Sequence, residues 1–308
     1  MISLPTPVSI ALPPLPKGYY SLSFQVLSDD RLGIVATDFD YWRALRFAEK
    51  QGDDEALLGL LDEAKATIWT FDGKTLMKCI QFPLLYPFLK IDQFPNGDWL
   101  VAETRTLKVE NTRIFKSDSR EIGRIMLGDG IEHIKIDELN RIWVGWFDEG
   151  VFGNDNWDFV GQEWPPSSTG IAAFDIQGRL LKTTTLMIVD DCYALNVFGD
   201  EVWSCTYSDF PVWNMNAIRE RVWRTKLSGT EAIAVDYPFI LAAGGYEADF
   251  NRLILLKLDD NETQQIGAWH MPQMPNNRRE VELLDGRGNT IHMLCHGIWY
   301  RWRVEQFL

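Results

Sequence analysis

Short runs of alternating apolar and polar residues, separated by tight polar turns, recur along the chain. The clearest copy is IKIDELNRIWVGWFDEG, in which apolar residues alternate from Ile134 to Asp137, the chain turns through Glu138–Asn140, and a Trp-rich run follows. Alternation with a period of two is typical of half-buried β-strands, and a short polar turn between two such runs predicts a β-hairpin.

Five further segments repeat this hairpin pattern with different turn residues. They begin at Phe24, Ile91, Leu195, Ile233 and Val281. Their turns include Asp-Asp, Asn-Gly, Gly-Asp and Gly-Arg-Gly, all of which hairpin turns accept. The chain therefore contains six copies of one hairpin, which we interpret as the inner half of a repeated unit.

A second kind of hairpin lies between these copies and predicts the outer half of the unit. IWTFDGKTLMKCI carries Asp72-Gly73 between two alternating runs, and RIFKSDSREIGRI, IAAFDIQGRLLKTTTL and LILLKLDDNETQQIGAW follow other inner hairpins. In the fourth unit RVWRTKL is a predicted strand, with FPVWNM as the candidate partner. Two successive hairpins make a four-stranded meander, and six meanders around an axis make a six-bladed β-propeller.

The two ends of the sequence predict how the ring closes. After the last inner hairpin only one strand, IWYRWRVEQFL, remains, whereas PVSIALPPL is a surplus apolar segment near the other end. We expect this N-terminal segment to be the outermost strand of the last blade, because pairing there removes an open sheet edge. Its flanking prolines suit an edge strand.

Two insertions interrupt the repeat within what we expect to be one all-β domain over residues 1–308. The first, at about residues 40–65, combines Leu, Ala and Phe spacing with dense Glu and Asp, and predicts one or two amphipathic helices. The second, at about residues 153–170, is a polar, Trp-bearing loop.

Composition and charge narrow the classes of function. Thirty basic and 44 acidic residues give a net charge of −14, which repels phosphate backbones and anionic lipids, so neither nucleic acid nor membrane binding is expected. No apolar run approaches the roughly 18 residues of a membrane helix, and the Pro-broken N-terminus makes a poor signal peptide. The four scattered cysteines predict free, mostly buried thiols. We expect a cytoplasmic monomer.

The stretch GDGIEHIKIDELNRIWVGWFDEG resembles the six-bladed propellers of the NHL-repeat and regucalcin/gluconolactonase-like superfamily, and uncharacterised bacterial propeller proteins. The likeness rests on Asp129-Gly130, Ile136-Asp137, Ile142–Val144 and Gly150. For a gluconolactonase-like protein the resemblance implies a divalent metal in the central channel that activates water against a lactone. The Glu-Gly-Pro-x-Trp segment of the first blade is replaced here by GYYSLSFQV, so no metal ligand is carried over.

Alignment of the hairpins on their turns places one residue per blade at the start of the innermost strand, around one mouth of the channel. These residues are Ser23, Lys90, Glu132, Tyr193, Glu231 and Glu280. The three carboxylates, with Asp190 and Asp191 nearby, are candidates for binding a cation such as Ca²⁺ or for general-base chemistry. The alternative is that they are solvated rim residues or pair with Lys90.

The loop after the third inner hairpin is a second candidate for ligand binding. Trp146, Asp148 and Glu149 combine an aromatic face with carboxylates, which suits sugar or amine ligands, although packing between blades is the alternative. His133 and Glu132 are neighbours in a strand, so we expect only one of them to face the channel. His292 and His296, about 13 Å apart on a strand, are too distant to chelate one ion.

These observations favour a binding or scaffold propeller that recognises a small ligand or partner protein at one face of the channel, without a metal or cofactor. The alternative is a metal-dependent hydrolase of the lactonase type that uses Glu132, Glu231 and Glu280 as metal ligands. No G-x-S-x-G, P-loop or G-x-G-x-x-G motif is present. The sequence leaves both an enzymatic and a non-enzymatic role open.

Overall fold

The computed structural model describes residues 3–51, 59–61, 63–105, 110–154, 157, 164–216, 219–271 and 280–308. Across these ranges, 24 strands form six antiparallel sheets of four strands each. The sheets are the blades of a six-bladed β-propeller, so the predicted all-β fold class is confirmed. None of the helices in the described ranges has the length and apolar character needed to cross a membrane.

The strands follow the meander order within each blade. A first strand, β1 (Val8–Ala11), precedes blade 1, which contains β2 (Tyr20–Val26), β3 (Leu32–Thr37), β4 (Lys65–Phe71) and β5 (Leu76–Pro83). Blade 2 contains β6 (Leu89–Gln93), β7 (Trp99–Glu103), β8 (Thr112–Phe115) and β9 (Glu121–Ile125). Blade 3 contains β10 (Ile131–Ile136), β11 (Ile142–Trp146), β12 (Ile171–Phe174) and β13 (Leu180–Thr183).

The remaining blades have the same organisation. Blade 4 contains β14 (Asp191–Phe198), β15 (Glu201–Tyr207), β16 (Val212–Met215) and β17 (Glu220–Trp223). Blade 5 contains β18 (Ala232–Asp236), β19 (Phe239–Ala243), β20 (Arg252–Asp259) and β21 (Glu262–His270). Blade 6 contains β22 (Val281–Arg287), β23 (Thr290–Cys295) and β24 (Ile298–Arg303). Helices α1 (Tyr41–Gln51) and α2 (Asp148–Gly153) and 3₁₀ turns at Pro166–Thr169, Glu247–Asp249 and Val304–Phe307 lie in the connections. Residues 59–61 and 63 are also helical.

The N-terminal strand closes the ring as predicted. β1 pairs antiparallel with β24, from Val8 opposite Arg301 to Ala11 opposite Ile298, and so becomes the fourth strand of blade 6. The seam between blades 6 and 1 is apolar, with Phe71 and Trp299 in one buried cluster. Closure therefore combines backbone pairing at the edge with burial of aromatic side chains between the sheets.

The third inner hairpin shows how local chemistry sets each turn. The Asp137 carboxylate accepts hydrogen bonds from the backbone N–H groups of Leu139 and Arg141, both at 2.9 Å, and from Trp143 Nε1 at 2.9 Å. Asn140 adopts a φ of +62°, a conformation that Asn tolerates better than most residues. The polar turn is thus held by the aspartate that directly follows the first strand.

The three sequence regions predicted with least regularity are blade 4 and the two insertions. In blade 4, β16 pairs with β17, so FPVWNM does supply the partner of RVWRTKL. Helix α1 lies within the predicted helical insertion, whereas residues 52–58 and 62 lie outside the described residues. Of the second insertion, the described part includes the 3₁₀ turn Pro166–Thr169. All four cysteines are free, and three of them are buried.

The connections differ between the two ends of the channel. Because every blade is an antiparallel meander, the links between its second and third strands and the links between blades lie at the end where innermost strands start, here called the mouth face. Both helices lie among these longer links. The opposite face carries the tight hairpin turns, such as Leu27–Arg31 and Asp137–Arg141. Long loops positioned by a rigid scaffold commonly carry function.

Buried charges close the channel below the mouth. Lys135 of blade 3 lies 2.5 Å from the Asp285 carboxylate of blade 6, and Arg287 Nη1 lies 3.2 Å from the Asp92 carboxylate of blade 2. Burial opposes ionisation of Asp285, but the Lys135 ammonium and its hydrogen bond hold the pKa of Asp285 below its usual value. These pairs tie blade 6 to blades 2 and 3 across the axis.

Gly286 allows β22 to approach β18 at this closed end. A Cβ atom at Gly286 would lie 1.9 Å from the backbone carbonyl oxygen of Ile233, which cannot swing away as a side chain would. Close by, Asn196 Nδ2 donates to Ile233 O at 2.9 Å and to Gly288 O at 2.7 Å, and so joins blade 4 to blades 5 and 6. The glycine is needed for close backbone approach.

We expect Gly286→Ala to destabilise the protein by about 2 kcal/mol or more, because an overpacked site forces backbone shifts. The control is Gly123→Ala in β9, where an added Cβ would meet no atom within 4 Å. Urea unfolding of the two variants measures the difference, and equal midpoints would contradict this account of the closed end.

Candidate functional site

A cavity of about 830 Å³ opens at the mouth of the central channel. All six blades contribute to its wall, mostly through the first residues of their innermost strands. The lining residues are Ser21–Val26, Leu89, Lys90, Glu132–Lys135, Asp191, Tyr193, Glu231 and Glu282–Asp285, together with Trp42 and Phe147. The buried Lys135–Asp285 pair belongs to this lining, so the closed end of the channel is the floor of the cavity.

Four of the six innermost strands change register with their neighbours at the mouth. The shifts lie between Ser21 and Ser23, Ile131 and His133, Asp191 and Ala194, and Val281 and Leu283. Such β-bulges insert an unpaired residue, bend the strand and redirect side chains. They are frequent next to binding and active sites.

The bulge in β10 corrects one expectation from the sequence. Regular alternation predicted that only one of Glu132 and His133 faces the channel, but both line the cavity. The reason is that Glu132 is the extra residue between the pairs Ile131–Trp146 and His133–Gly145, so alternation is broken there. A turn-based alignment of regular strands cannot reveal this irregularity.

Five of the six residues aligned at the strand starts line the cavity: Ser23, Lys90, Glu132, Tyr193 and Glu231. Glu280, the sixth, does not. Its carboxylate lies 3.1 Å from His296 Nε2 outside the cavity, and Glu282 lines the wall instead. Glu282 is the extra residue of the bulge between Val281 and Leu283, as Glu132 is in β10, so the turn-based alignment of blade 6 is two residues out of register.

Trp146, Asp148 and Glu149, the second candidate for ligand binding, lie in different environments. Trp146 is fully buried between blades, and its Nε1 donates to Leu127 O at 2.9 Å, so it is a core residue and not part of the cavity wall. Its neighbour Phe147 lines the cavity. Asp148 and Glu149 begin α2 beside the mouth, and Glu149 pairs with Arg105 at 2.6 Å.

Negative charge predominates among the ionisable groups of the wall. Glu132, Asp191, Glu231 and Glu282 lie around the cavity, whereas Lys90, 3.8 Å from Glu132, is a wall cation and Lys135 is paired with Asp285 on the floor. Burial, together with the charges of Glu132 and Asp148, raises the pKa of Asp191 to about 7. Asp191 is therefore only partly ionised at neutral pH.

His133 is neutral and has a defined tautomer. Its Nε2 lies 3.1 Å from the backbone oxygen of Tyr193, and because a carbonyl oxygen only accepts, Nε2 must carry the proton. Burial lowers the pKa of His133, with partial opposition from Glu132. The ring thus links blade 3 to blade 4 and leaves Nδ1 as an acceptor at neutral pH.

Aromatic side chains support one side of the cavity. Tyr193 stacks on Tyr207 with ring centroids 6.2 Å apart, and its hydroxyl accepts a hydrogen bond from Tyr246 at 2.8 Å. Phe210 packs edge-on against Tyr193 at 5.1 Å. Burial raises the pKa of Tyr193, so this phenol stays protonated at neutral pH.

Metal binding receives no support from the arrangement of potential ligands. In the ranges that the structure describes, no three His, Cys, Asp or Glu side chains are grouped so that they could hold a metal ion. Of the alternative ligand set, Glu280 lies outside the cavity that Glu132 and Glu231 line. His292 is buried with Nε2 3.0 Å from Asp30, and His296 forms a separate pair with Glu280.

The fold and the cavity define the chain as a six-bladed β-propeller with an acidic recess at its channel mouth. A family model described as the YxzG family matches residues 167–292, less than half of the chain. No curated protein matches the sequence. The narrower resemblance to NHL-repeat and gluconolactonase-like propellers therefore stays a prediction.

Solved structures that resemble this chain share its architecture at low sequence identity. A catalytically inactive virginiamycin B lyase from Staphylococcus aureus with quinupristin has a TM-score of 0.51 at 10% identity, covering 96% of this chain and 99% of that one. A functionally unknown protein from Desulfotomaculum acetoxidans DSM 771 has a TM-score of 0.51 at 10% identity, covering 84% and 73%. A chain of the mitotic checkpoint complex has a TM-score of 0.52 at 10% identity, covering 94% and 76%. Such likeness supports the fold alone.

We expect Asp191→Asn to stabilise the protein more at pH 8 than at pH 5. The native pKa of about 7 exceeds the unfolded value near 3.9, so between these values the native state binds more protons and stability falls as pH rises. The amide cannot ionise and removes this loss. Urea unfolding at both pH values measures the effect, and an equal change at the two would contradict the assignment.

Proposed function

We propose that this propeller is a binding protein whose mouth cavity receives a cationic nitrogen group of its ligand. The observation that carries the proposal is the charge of the wall: the carboxyl groups of Glu132, Asp191, Glu231 and Glu282 outnumber Lys90, while the Lys135 charge is balanced by Asp285. An ammonium or guanidinium group would relieve the mutual repulsion of these carboxylates.

The size and lining of the cavity support a ligand group of small-molecule dimensions. Its volume of about 830 Å³ is in the range of roughly 300–1,000 Å³ that ligand sites occupy. Trp42 and Tyr193 add aromatic side chains to the acidic wall, and beside them the Phe147 ring already lies under the Arg105 guanidinium, 5.0 Å from the ring centroid. Aromatic rings attract cations through their quadrupoles, so they reinforce the same preference.

The wall is also organised before any ligand arrives. The His133–Tyr193 and Tyr246–Tyr193 hydrogen bonds fix the blade 4 side, and the backbone N–H of His296 donates to Glu282 at 3.2 Å. Side chains that are already ordered lose less conformational entropy on binding. A wall that is ordered in advance therefore favours selective binding of one cationic group over non-specific attraction of ions.

The second candidate, metal-dependent lactone hydrolysis, has narrower support. Its metal would need a convergent ligand set, which the described residues do not provide, and Glu280 is displaced from the wall. One observation favours a general base: the raised pKa of Asp191, near neutrality, suits proton transfer. A binding role involves all four carboxyl groups of the wall, whereas the hydrolase role is supported by Asp191 alone. We therefore favour the binding role.

We expect n-butylamine to bind and n-butanol, its uncharged analogue, to bind far more weakly. Glu231→Gln should weaken n-butylamine binding about tenfold, equivalent to about 1.4 kcal/mol, because a wall carboxylate is neutralised. The matched control is Glu280→Gln, which removes the same charge outside the cavity. Isothermal titration calorimetry measures each affinity. Equal binding of amine and alcohol, or equal loss in both variants, would overturn the proposal.

Affinity for n-butylamine should rise between pH 6 and pH 8. Asp191 ionises with a pKa of about 7, and its charged form attracts the ammonium, which stays protonated throughout this range. Asp191→Asn should flatten the pH profile. A wild-type profile that falls with pH, or an unchanged slope in the variant, would show that Asp191 does not contact the ligand.

A further inference from the structure

A second recess adjoins the acidic cavity on the mouth face. This groove, of about 620 Å³, lies between the loop before β14 and the loop after β15, and is lined by Thr185, Leu186, Met187, Ile188, Asp190, Tyr207, Ser208, Asp209 and Pro211. Two of its aliphatic side chains are strongly exposed: Leu186 at 58% and Ile188 at 87%. Adjacent exposed aliphatic side chains of this kind mark interaction sites more often than isolated ones.

The loop that presents these side chains is held in place by one carboxylate. Glu220 of β17 accepts hydrogen bonds from the backbone N–H groups of Thr185 and Leu186, at 3.0 and 3.1 Å, and from the Thr185 hydroxyl. Trp213 Nε1 donates to the same carboxylate at 2.7 Å. Desolvation raises the pKa of Glu220, but these hydrogen-bond donors outweigh it and keep that pKa below its usual value. The Glu220 carboxylate, here called the Glu220 clamp, is therefore ionised at neutral pH.

Buried residues anchor the loop on either side of the exposed pair. Val189 is 2% exposed and packs against Gly170, where an added Cβ would lie 2.3 Å from Val189 Cγ1. Thr184 is buried, and its hydroxyl donates to Thr169 O at 2.8 Å. The exposure of Leu186 and Ile188 is therefore enforced by an ordered loop.

Neighbouring residues line the groove and the acidic cavity. Asp190 lines the groove and the next residue, Asp191, lines the cavity. Likewise Tyr207 lines the groove and stacks on Tyr193, which lines the cavity. A bound chain can reach both recesses with side chains one or two residues apart, since alternate side chains of an extended chain lie about 7 Å apart.

We infer that the mouth face docks a polypeptide segment in which an apolar residue lies one or two positions from a Lys or Arg: the apolar side chain occupies the groove, and the cation occupies the acidic cavity. This inference rests on the proposed function, because it assigns the cationic nitrogen to a peptide. Charge complementarity selects the occupant, since Asp190 and Asp209 add to the carboxylates of the cavity. The same charges repel phosphate backbones and anionic headgroups.

The probe is the peptide acetyl-Gly-Leu-Gly-Lys-Gly-amide, and calorimetry compares its affinity with that of n-butylamine. Two control peptides each carry one replacement: Leu by Ser in the first, and Lys by Gln in the second. The parent peptide should bind at least tenfold more tightly than n-butylamine, and each replacement should remove that advantage. The double variant Leu186→Ser/Ile188→Ser should lose the advantage while n-butylamine binding persists. Phe198→Ser, at a 60% exposed site on the opposite face, is the control.

The outcomes separate this inference from the proposed function. If n-butylamine binds but the peptide binds no more tightly, or if the double variant behaves as Phe198→Ser does, peptide docking is overturned and cation binding stands. If neither n-butylamine nor the peptide binds, both are overturned. Binding of the Gln-containing peptide as tightly as the parent would also overturn the inference, because recognition would not depend on the cation.

Discussion

The Lys135–Asp285 ion pair is the interaction on which the shape of the site depends. It joins blade 3 to blade 6 across the axis, and with the Arg287–Asp92 pair it closes the channel beneath the mouth. Buried charges are costly unless they are paired and hydrogen-bonded, and here the Asp92 carboxylate also accepts from the backbone N–H of Ile136 at 2.7 Å. Without this floor the axis would be an open tunnel, and the mouth would not be a recess.

The charges of the floor are balanced, whereas the wall carries an excess of carboxyl groups. Lys135 is balanced by its partner, so it does not neutralise the carboxyl groups above it. The raised pKa of Asp191 is the measurable consequence, since Glu132 and Asp148 disfavour a further negative charge in a partly desolvated place. The blades hold these carboxyl groups close together, and a bound cation would reduce the repulsion between them.

The sequence predicted the blades well because their hairpins are encoded locally, by alternation and by turn residues such as Asp137. It predicted five of the cavity residues, since strand starts converge at the mouth of any propeller. It placed Glu280 at the position that Glu282 occupies, because its alignment of blade 6 was two residues out of register. It expected only one of Glu132 and His133 to face the channel, because it assumed regular alternation where β10 has a bulge. Trp146 was expected at a ligand site but is buried between blades, and no feature of its neighbours distinguishes these roles. The groove between Leu186 and Tyr207 depends on the Glu220 clamp, a contact between residues 35 positions apart.

The bulges also allow the residues that face the channel to vary independently of the residues that pack between blades. In a regular strand, the residues that face the channel and those that pack between blades are tied to one alternating register, and a one-residue slip moves both sets together. At the mouth of this propeller, Glu132 and Glu282 stand outside that register. Substitutions there can change what the cavity recognises without repacking the blades. The same framework can therefore acquire new specificities by exchange of a few rim residues.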